Sequence, residues 1–502
     1  MCIRGEMLVI LAVVLVVGLI AQIQAVDFYQ PEQIHMSYGA DPTQMTFTWV
    51  TFDNTSVAIV QYGVKSFEDY TAKGIIEKFV DGGAAKRVIY MYRVNATMLT
   101  PGQTYRYRVG SPLGWSTMFT FTAMKSGTNW SPRFALYGDM GNKNAQSMAR
   151  LQTEAEEGNV DFIVHAGDYA YNMDNENATR GDEFMRQIEP IAANVPYMTC
   201  VGNHEYAYNF SNYKYRFTMP RAGGEGRGLW YSFDVGPIHF IAWDTELYYY
   251  TNYGKQQIYN QYKWLEQDLI EANKNRAERP WVITIGHRPM YCSNNKNDNF
   301  EHCQNPDNLV RVGDPTQKPG WPSPEDLFYK YGVDLEIAAH EHDYERMWPV
   351  FNMRVCNGST KYPYTNPTAP VHIVTGSAGS QEGVDPFFTI PWPWSALRTT
   401  DYGYNRVKVV NSTHLYFEYV SDVQGGRVMD SIWYIKDKHG PGLYTCHLGM
   451  DQDYHKNKVK EFEKIRDDFN GKFKGKQQKK KSKRIPLMRL LQPARPIEHE
   501  RL

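Results

Sequence analysis

Phe162-Ile163-Val164-His165-Ala166-Gly167-Asp168-Tyr169-Ala170-Tyr171 is a short apolar run that stops on a glycine and delivers an aspartate. A bounded apolar run of this length reads as a buried strand. The same grammar recurs four times: run 134–138 leads to Asp139, 198–202 to Asn203-His204-Glu205, 281–286 to His287, and 335–339 to His340-Glu341-His342. Helical stretches such as 144–157 and 259–275 alternate with these runs, which predicts an α/β layer structure. Ligands gather at the carboxyl ends of such strands, where loops converge above a rigid platform. Any one of these residues alone reads as a turn or a helix cap; five ends carrying Asp, Asp, Asn, His and a His pair predict one site.

The donor types point to metal. Carboxylates, an amide oxygen and imidazoles without thiolate suit hard or borderline ions. His340 and His342 stand at i and i+2, so in extended backbone both rings face one side. Two ions about 3.5 to 4 Å apart can each take one ring, with Asp168 bridging them. The run 238–243 ends in Asp244 in a similar way and reads as structural, and Gly376-Ser377-Ala378-Gly379 reads as a turn.

Before this region, residues 27–125 hold short alternating runs (45–51, 57–62, 87–94, 104–109 and 117–122) separated by Asp, Asn, Gly and Pro. That spacing predicts an antiparallel, fibronectin III-like β-sandwich. The expected organisation is a signal peptide at 1–25, the sandwich at 27–125, a catalytic domain of two mixed sheets flanked by helices at 130–436, and an extension at 437–502. Residues 371–375, 406–410 and 414–420 are further expected strands.

The 502 residues carry a formal net charge of −1. Sixteen Lys and Arg against six Asp and Glu fall between Lys456 and Leu502, so residues 1–455 carry −11. An acidic body excludes a nucleic-acid surface, which needs concentrated positive charge. The basic tail reads as a solvated, disordered stretch; weak contact with anionic glycans or lipid headgroups is the alternative. Arg4, the apolar run 8–21 and Ile23-Gln24-Ala25 have the form of a secretory signal, and no later run is long enough to span a bilayer. Secretion, or delivery to the lysosome, is therefore expected. Five cysteines remain after Cys2: Cys200 reads as a buried thiol, Cys292 with Cys303 as a local disulfide, and Cys356 with Cys446 as the pair by elimination. Seven Asn-x-Ser/Thr sequons, at Asn54, Asn95, Asn129, Asn177, Asn209, Asn357 and Asn411, fit a secreted glycoprotein.

Gly138-Asp139-Met140-Gly141, Gly167-Asp168-Tyr169-Ala170-Tyr171, Gly202-Asn203-His204-Glu205, Gly286-His287 and His340-Glu341-His342 resemble, in order and spacing, the motifs of the purple acid phosphatases within the metallophosphoesterase superfamily. The resemblance runs from about Pro31 to Ile435. It implies an acid phosphatase acting on phosphate monoesters, with Fe(III) held by Asp139, Asp168, Tyr171 and His342. It places Zn(II), or Fe(II) or Mn(II), on Asp168, Asn203, His287 and His340. Tyr171 discriminates, because calcineurin-type relatives lack a tyrosine there and a phenolate favours a trivalent ion. A metal-bound hydroxide is the expected nucleophile; His204 is the candidate acid, with Glu205 holding it. Two departures stand out: plant enzymes carry further histidines where this chain has Arg288-Pro289-Met290-Tyr291-Cys292, and Ala339 replaces a common glycine. The alternatives are a redox-silent metallophosphoesterase acting on diesters or nucleotides, and a decayed extracellular binding protein.

Overall fold

Alternation of large apolar and polar residues along Met45–Thr51 puts Phe47 and Trp49 on one face, and both are fully buried. In the computed structural model, which describes residues 28–220, 227–295 and 303–446, this strand sits inside an antiparallel sheet. Its order is Glu32–Tyr38, Met45–Thr51, Val88–Ala96, Ile75–Val80. A second sheet holds Tyr70–Lys73, Ile59–Gly63, Thr104–Ser111 and Gly114–Trp115, with Phe119–Thr122 also pairing Thr104–Ser111. Phe47 of the first sheet meets Tyr107 and Phe121 of the second at 4.6 and 5.2 Å between ring centroids, so the two pack face to face. The expected all-β N-terminal sandwich is present.

After Arg133 the parallel strands Phe162–Ala166, Tyr197–Cys200, Ile238–Ala242, Trp281–Ile285, Leu335–Ala338 and Val371–Thr375 are buried on both faces, as strands covered on two sides must be. A six-stranded sheet runs Tyr197–Cys200, Phe162–Ala166, Arg133–Tyr137, Gly403–Val409, His414–Ser421, Arg427–Ile435, and its first three strands are parallel. A seven-stranded sheet runs Tyr231–Val235, Ile238–Ala242, Trp281–Ile285, Leu335–Ala338, Val371–Thr375, Tyr344–Met347, Ser395–Thr399. Ile238–Ala242 through Val371–Thr375 are parallel within it. Phe134 and Phe162 of one sheet pack edge-on against Phe240 of the other, at 5.3 and 5.7 Å. The parallel registers, Leu136 beside Val164, Ala166 beside Cys200 and Ile285 beside Ile337, align the strand ends that carry the candidate ligands.

The described residues form one compact unit. Helix Thr179–Ala192 links its two halves: Glu189 accepts the Ile34 N–H at 2.9 Å, and Asp182 pairs with both Arg87 and Arg216. The helices expected at 144–157 and 259–275 run Met148–Glu156 and Gln256–Lys274. Cys292–Cys303 and Cys356–Cys446 are disulfides, and Cys200 is a buried thiol. Among the described residues no helix is long and apolar enough to cross a membrane. The expected signal peptide at 1–25 and the basic tail lie outside the described residues.

Candidate metal centre

The turns that follow the strands are tight. Asp139, Asp168 and His340 have φ of 57°, 57° and 69°, a left-handed conformation that costs a non-glycine residue about 1–2 kcal/mol. Their glycine neighbours answer to space. A β-carbon at Gly167 would fall 2.5 Å from His287 Nδ1, and one at Gly376 2.6 Å from Asp139 Oδ2. At Gly138 it would strike the methyl of Ala339, so Ala339 fills room that Gly138 leaves open. Gly376 is therefore more than a turn residue: it ends a strand at the same edge and makes way for Asp139.

Two linked groups of side chains result. In the first, Asp168 Oδ2, Asn203 Oδ1 and His340 Nδ1 lie 3.1, 3.0 and 3.3 Å from His287 Nε2. One ligand atom each from Asp168, His287 and His340 falls within 4.8 Å of the others. In the second, the Tyr171 hydroxyl lies 3.0 Å from His342 Nε2 and 3.4 Å from Asp139 Oδ1. Asp139 Oδ2 accepts the His340 N–H at 2.8 Å and joins the groups. All seven expected ligands come together. Tyr169, the neighbouring tyrosine, is directed elsewhere; its hydroxyl donates to the carbonyls of His165 and Cys200.

Second contacts orient the rings. His287 Nδ1 lies 2.8 Å from the Ala166 carbonyl, turning Nε2 inward. His340 Nε2 lies 3.1 Å from an Arg288 nitrogen, turning Nδ1 inward, and Arg288 is held in turn by Glu246 at 2.7 Å. Asp244 accepts the Glu246 N–H at 2.8 Å, so its structural role is to build the turn that delivers Glu246. Asp385 accepts the His342 N–H at 2.7 Å.

The electrostatics fit cations. Burial works against a charged His287, yet Asp168 and Asp139 push it up to about 10. Burial alone would raise Asp168; the charges of His287 and His204, with the His287 and His204 hydrogen bonds, hold it far below the carboxylate range. Burial and then the carboxylates Asp139 and Asp168 push the Tyr171 phenol well above its usual range. A phenolate there needs a strongly charged ion beside it, which the oxygen and imidazole donors suit. A second group, Cys292, Cys303 and Glu341, is also close together, but its two sulfurs are bonded to each other.

His204 stands at the edge of the centre. Its Nδ1 lies 2.9 Å from Asn172 Oδ1, and its Nε2 faces Asp168 Oδ2 at 3.8 Å and Glu382 Oε1 at 3.6 Å. Glu205 does not hold that ring. Its carboxylate accepts the N–H groups of Asp168, Tyr169 and Gly202 at 3.0, 2.9 and 2.9 Å, because a buried carboxylate at the foot of the turn is surrounded by unpaired amides. Asn172, Arg288, Glu382 and Asp385 were not anticipated from sequence; only the adjacency of Asn172 to Tyr171 and of Arg288 to His287 offered a signal.

Residues 31–123 match the family model for the purple acid phosphatase N-terminal domain, 132–344 that for calcineurin-like phosphoesterases, and 369–431 that for the iron/zinc purple acid phosphatase-like protein C region. The chain is 50% identical over 416 residues to acid phosphatase type 7 of Homo sapiens, covering 82% of this chain and 93% of that one. Acid phosphatase type 7 of Danio rerio is 52% identical over 421 residues, covering 83% and 93%. The Fe(3+)-Zn(2+) purple acid phosphatase 12 of Arabidopsis thaliana is 29% identical over 424 residues, covering 80% and 84%. The purple acid phosphatase PPD1 of yellow lupin seeds shares the fold, with a TM-score of 0.65 and 24% identity over 82% of this chain and 75% of that one.

Proposed function

The chain belongs to the purple acid phosphatase family, and on that premise we propose which of its residues carry the chemistry. It is a phosphomonoesterase that works with a dinuclear metal centre. Asp139, Asp168, Tyr171 and His342 are the Fe(III) ligands; Asp168, Asn203, His287 and His340 are the ligands of the divalent ion, Zn(II) or else Fe(II) or Mn(II). The bound pair supplies Lewis-acid neutralisation of the phosphate and lowers the pKa of a coordinated water. The single observation that supports this assignment is the Tyr171 hydroxyl standing between Asp139 and His342 at 3.4 and 3.0 Å, beside the Asp168–His287–His340 group.

The chain's own groups do the rest. Asp168 stays ionised beside His287, while Asp139, accepting the His340 N–H, joins the two halves. His204, fixed through Nδ1 by Asn172, presents Nε2 toward the centre and delivers a proton to the departing alkoxide. Glu205 is a positioning residue: three amide bonds lock the Asp168 turn onto the Asn203 turn. Burial and the Asp168 charge push its carboxyl well above the usual range.

The domain division at about residues 125–130 is supported by strand pairing, which keeps Glu32 to Thr122 and Arg133 to Ile435 in separate sheets. Residence outside the cytosol is supported by the two disulfides and by the exposure of six sequon asparagines, all but Asn357. Turnover of an aryl phosphate at acid pH, with two metal ions per chain by elemental analysis, tests the assignment. Asp168→Asn is expected to lose both; an active variant with two ions per chain overturns it.

A further inference from the structure

A tyrosine that no part of the chemistry requires rises beside the centre. The turn Asn203–Glu205 is a 3₁₀ helix, and the Tyr206 N–H closes it onto the Asn203 carbonyl at 3.3 Å. In a 3₁₀ turn residues three apart eclipse, with a rise of about 6 Å. Tyr206 therefore stands on the face of the turn that sends Asn203 toward His287, one turn above it. Its side chain is 43% exposed, unusual for a large aromatic group beside a buried cluster.

The ring is also braced. Tyr250 stacks on Tyr206 at 4.5 Å with an interplanar angle of 10°. Phe210 meets Tyr250 edge-on at 6.4 Å, and Tyr253 at 5.9 Å. Tyr249, next along the chain, lies 4.2 Å below the Arg288 guanidinium that reaches His340. The Tyr206–Tyr250 stack is thus tied to the divalent half of the centre from both strands of chain. Tyr208, Asn209 and Phe210 adopt three successive left-handed conformations, φ 53°, 60° and 57°, a strained arrangement that persists where the surroundings impose it and that clusters at ligand clamps.

We propose that Tyr206 is a leaving-group platform that selects phosphate monoesters of alcohols carrying a planar aromatic ring, bound by stacking on its exposed face. The proposal rests on the site assignment above. Charge narrows the class. On the rim beside His204 stands the half-exposed Glu382 carboxylate, 3.6 Å from its Nε2; this rim repels an anionic leaving group. A neutral aromatic ring joined closely to the ester oxygen meets both the stacking face and the rim.

The test uses the metal-loaded full chain and two esters of similar alcohol acidity, benzyl phosphate and cyclohexylmethyl phosphate, so that the bond-breaking step is closely comparable and ring character is the chief difference. Wild type is expected to favour the benzyl ester in kcat/KM by roughly 3- to 10-fold, the range that aromatic pairing provides. Tyr206→Phe should keep the ratio and Tyr206→Ala bring it to about 1, with near-UV circular dichroism confirming a native fold. Calorimetric titration with the corresponding phosphonates reads the same preference without turnover. Phosphotyrosine and adenosine 5′-monophosphate separate two sources of the ring; the short rise of the turn predicts that only phosphotyrosine turnover falls in Tyr206→Ala. Equal kcat/KM for the two esters in wild type, or an unchanged ratio in Tyr206→Ala, overturns the platform. Absence of turnover on either ester counts against the site assignment instead, and the phosphonate titration then decides the platform by itself.

Discussion

Gly202→Ala separates geometry from ligand identity, because it removes no donor. The glycine has φ −117° and ψ −178°, extended backbone open to any residue, so alanine brings no backbone strain. Its β-carbon, however, falls 2.6 Å from the Asp168 backbone nitrogen and closer still to Oδ1. Non-bonded heavy atoms want about 3.5 Å, so one partner must move by close to 1 Å. The turn cannot simply open, since Glu205 Oε2 accepts both the Asp168 and the Gly202 N–H, at 3.0 and 2.9 Å. Overpacking of this kind costs about 1–3 kcal/mol of stability, and a displacement near 1 Å of a group that orients the reaction lowers turnover by about 100-fold. Steady-state kinetics with an aryl phosphate and a thermal melt measure these two losses, and metal analysis checks that no donor has been removed. Gly158→Ala is the control: its φ of 66° is strained for alanine, but nothing lies within 4 Å, so it should lose about 1–2 kcal/mol and keep its rate. If Gly202→Ala holds kcat within threefold of wild type, Asp168 is not placed as argued.

His204→Ala should lower turnover of an alkyl phosphate by about 100-fold or more, and that of 4-nitrophenyl phosphate much less, since the latter leaving group departs without a proton; equal losses would remove His204 as the acid. His239 is held between Asp234 and Asp268 at 2.7 and 2.9 Å; burial opposes its charge, but these bonds raise it from 6.5 to about 9. A raised histidine stabilises the fold fully below pH 6.5 and loses that contribution as pH climbs through 9, so about 3 kcal/mol should vanish across the window. Denaturant melts at pH 6 and 9 should show this loss in wild type and not in His239→Gln. Replacing Cys356 and Cys446 by serine opens a link spanning 90 residues, which the chain-entropy account values at about 4–5 kcal/mol; an unchanged denaturation midpoint would refute that value.

Five of the seven candidate ligands, Asp139, Asp168, Asn203, His287 and His340, were legible because each follows its own strand and is preceded by a residue small enough to admit the next turn; Tyr171 and His342 lie two or three residues further on and were legible only through the motif. Gly167 makes room for His287, and Gly202 for Asp168, so local composition records long-range contacts. The strands Tyr70–Lys73 and Ile75–Val80 were not anticipated, since their residues are largely exposed and alternate weakly. Helix Thr179–Ala192 carries Pro190 in its last turn, a residue that argues against a helix by pattern. The groups that orient the ligands were beyond sequence reading for another reason. Asp385 reaches His342 from 43 positions away and Glu246 reaches Arg288 from 42, and no periodicity records such pairings. Glu205 was anticipated as the partner of His204, but the unpaired amides of its own turn claim the carboxylate first.

The visible absorption spectrum of the purified, iron-loaded protein, wild type against Tyr171→Phe, bears most directly on the centre. Wild type should be coloured by charge transfer from the Tyr171 phenolate to Fe(III), and the variant should lose that band. A colourless wild type containing iron, or a band that survives in Tyr171→Phe, would contradict the assignment of Tyr171 beside Asp139 and His342 as an iron ligand.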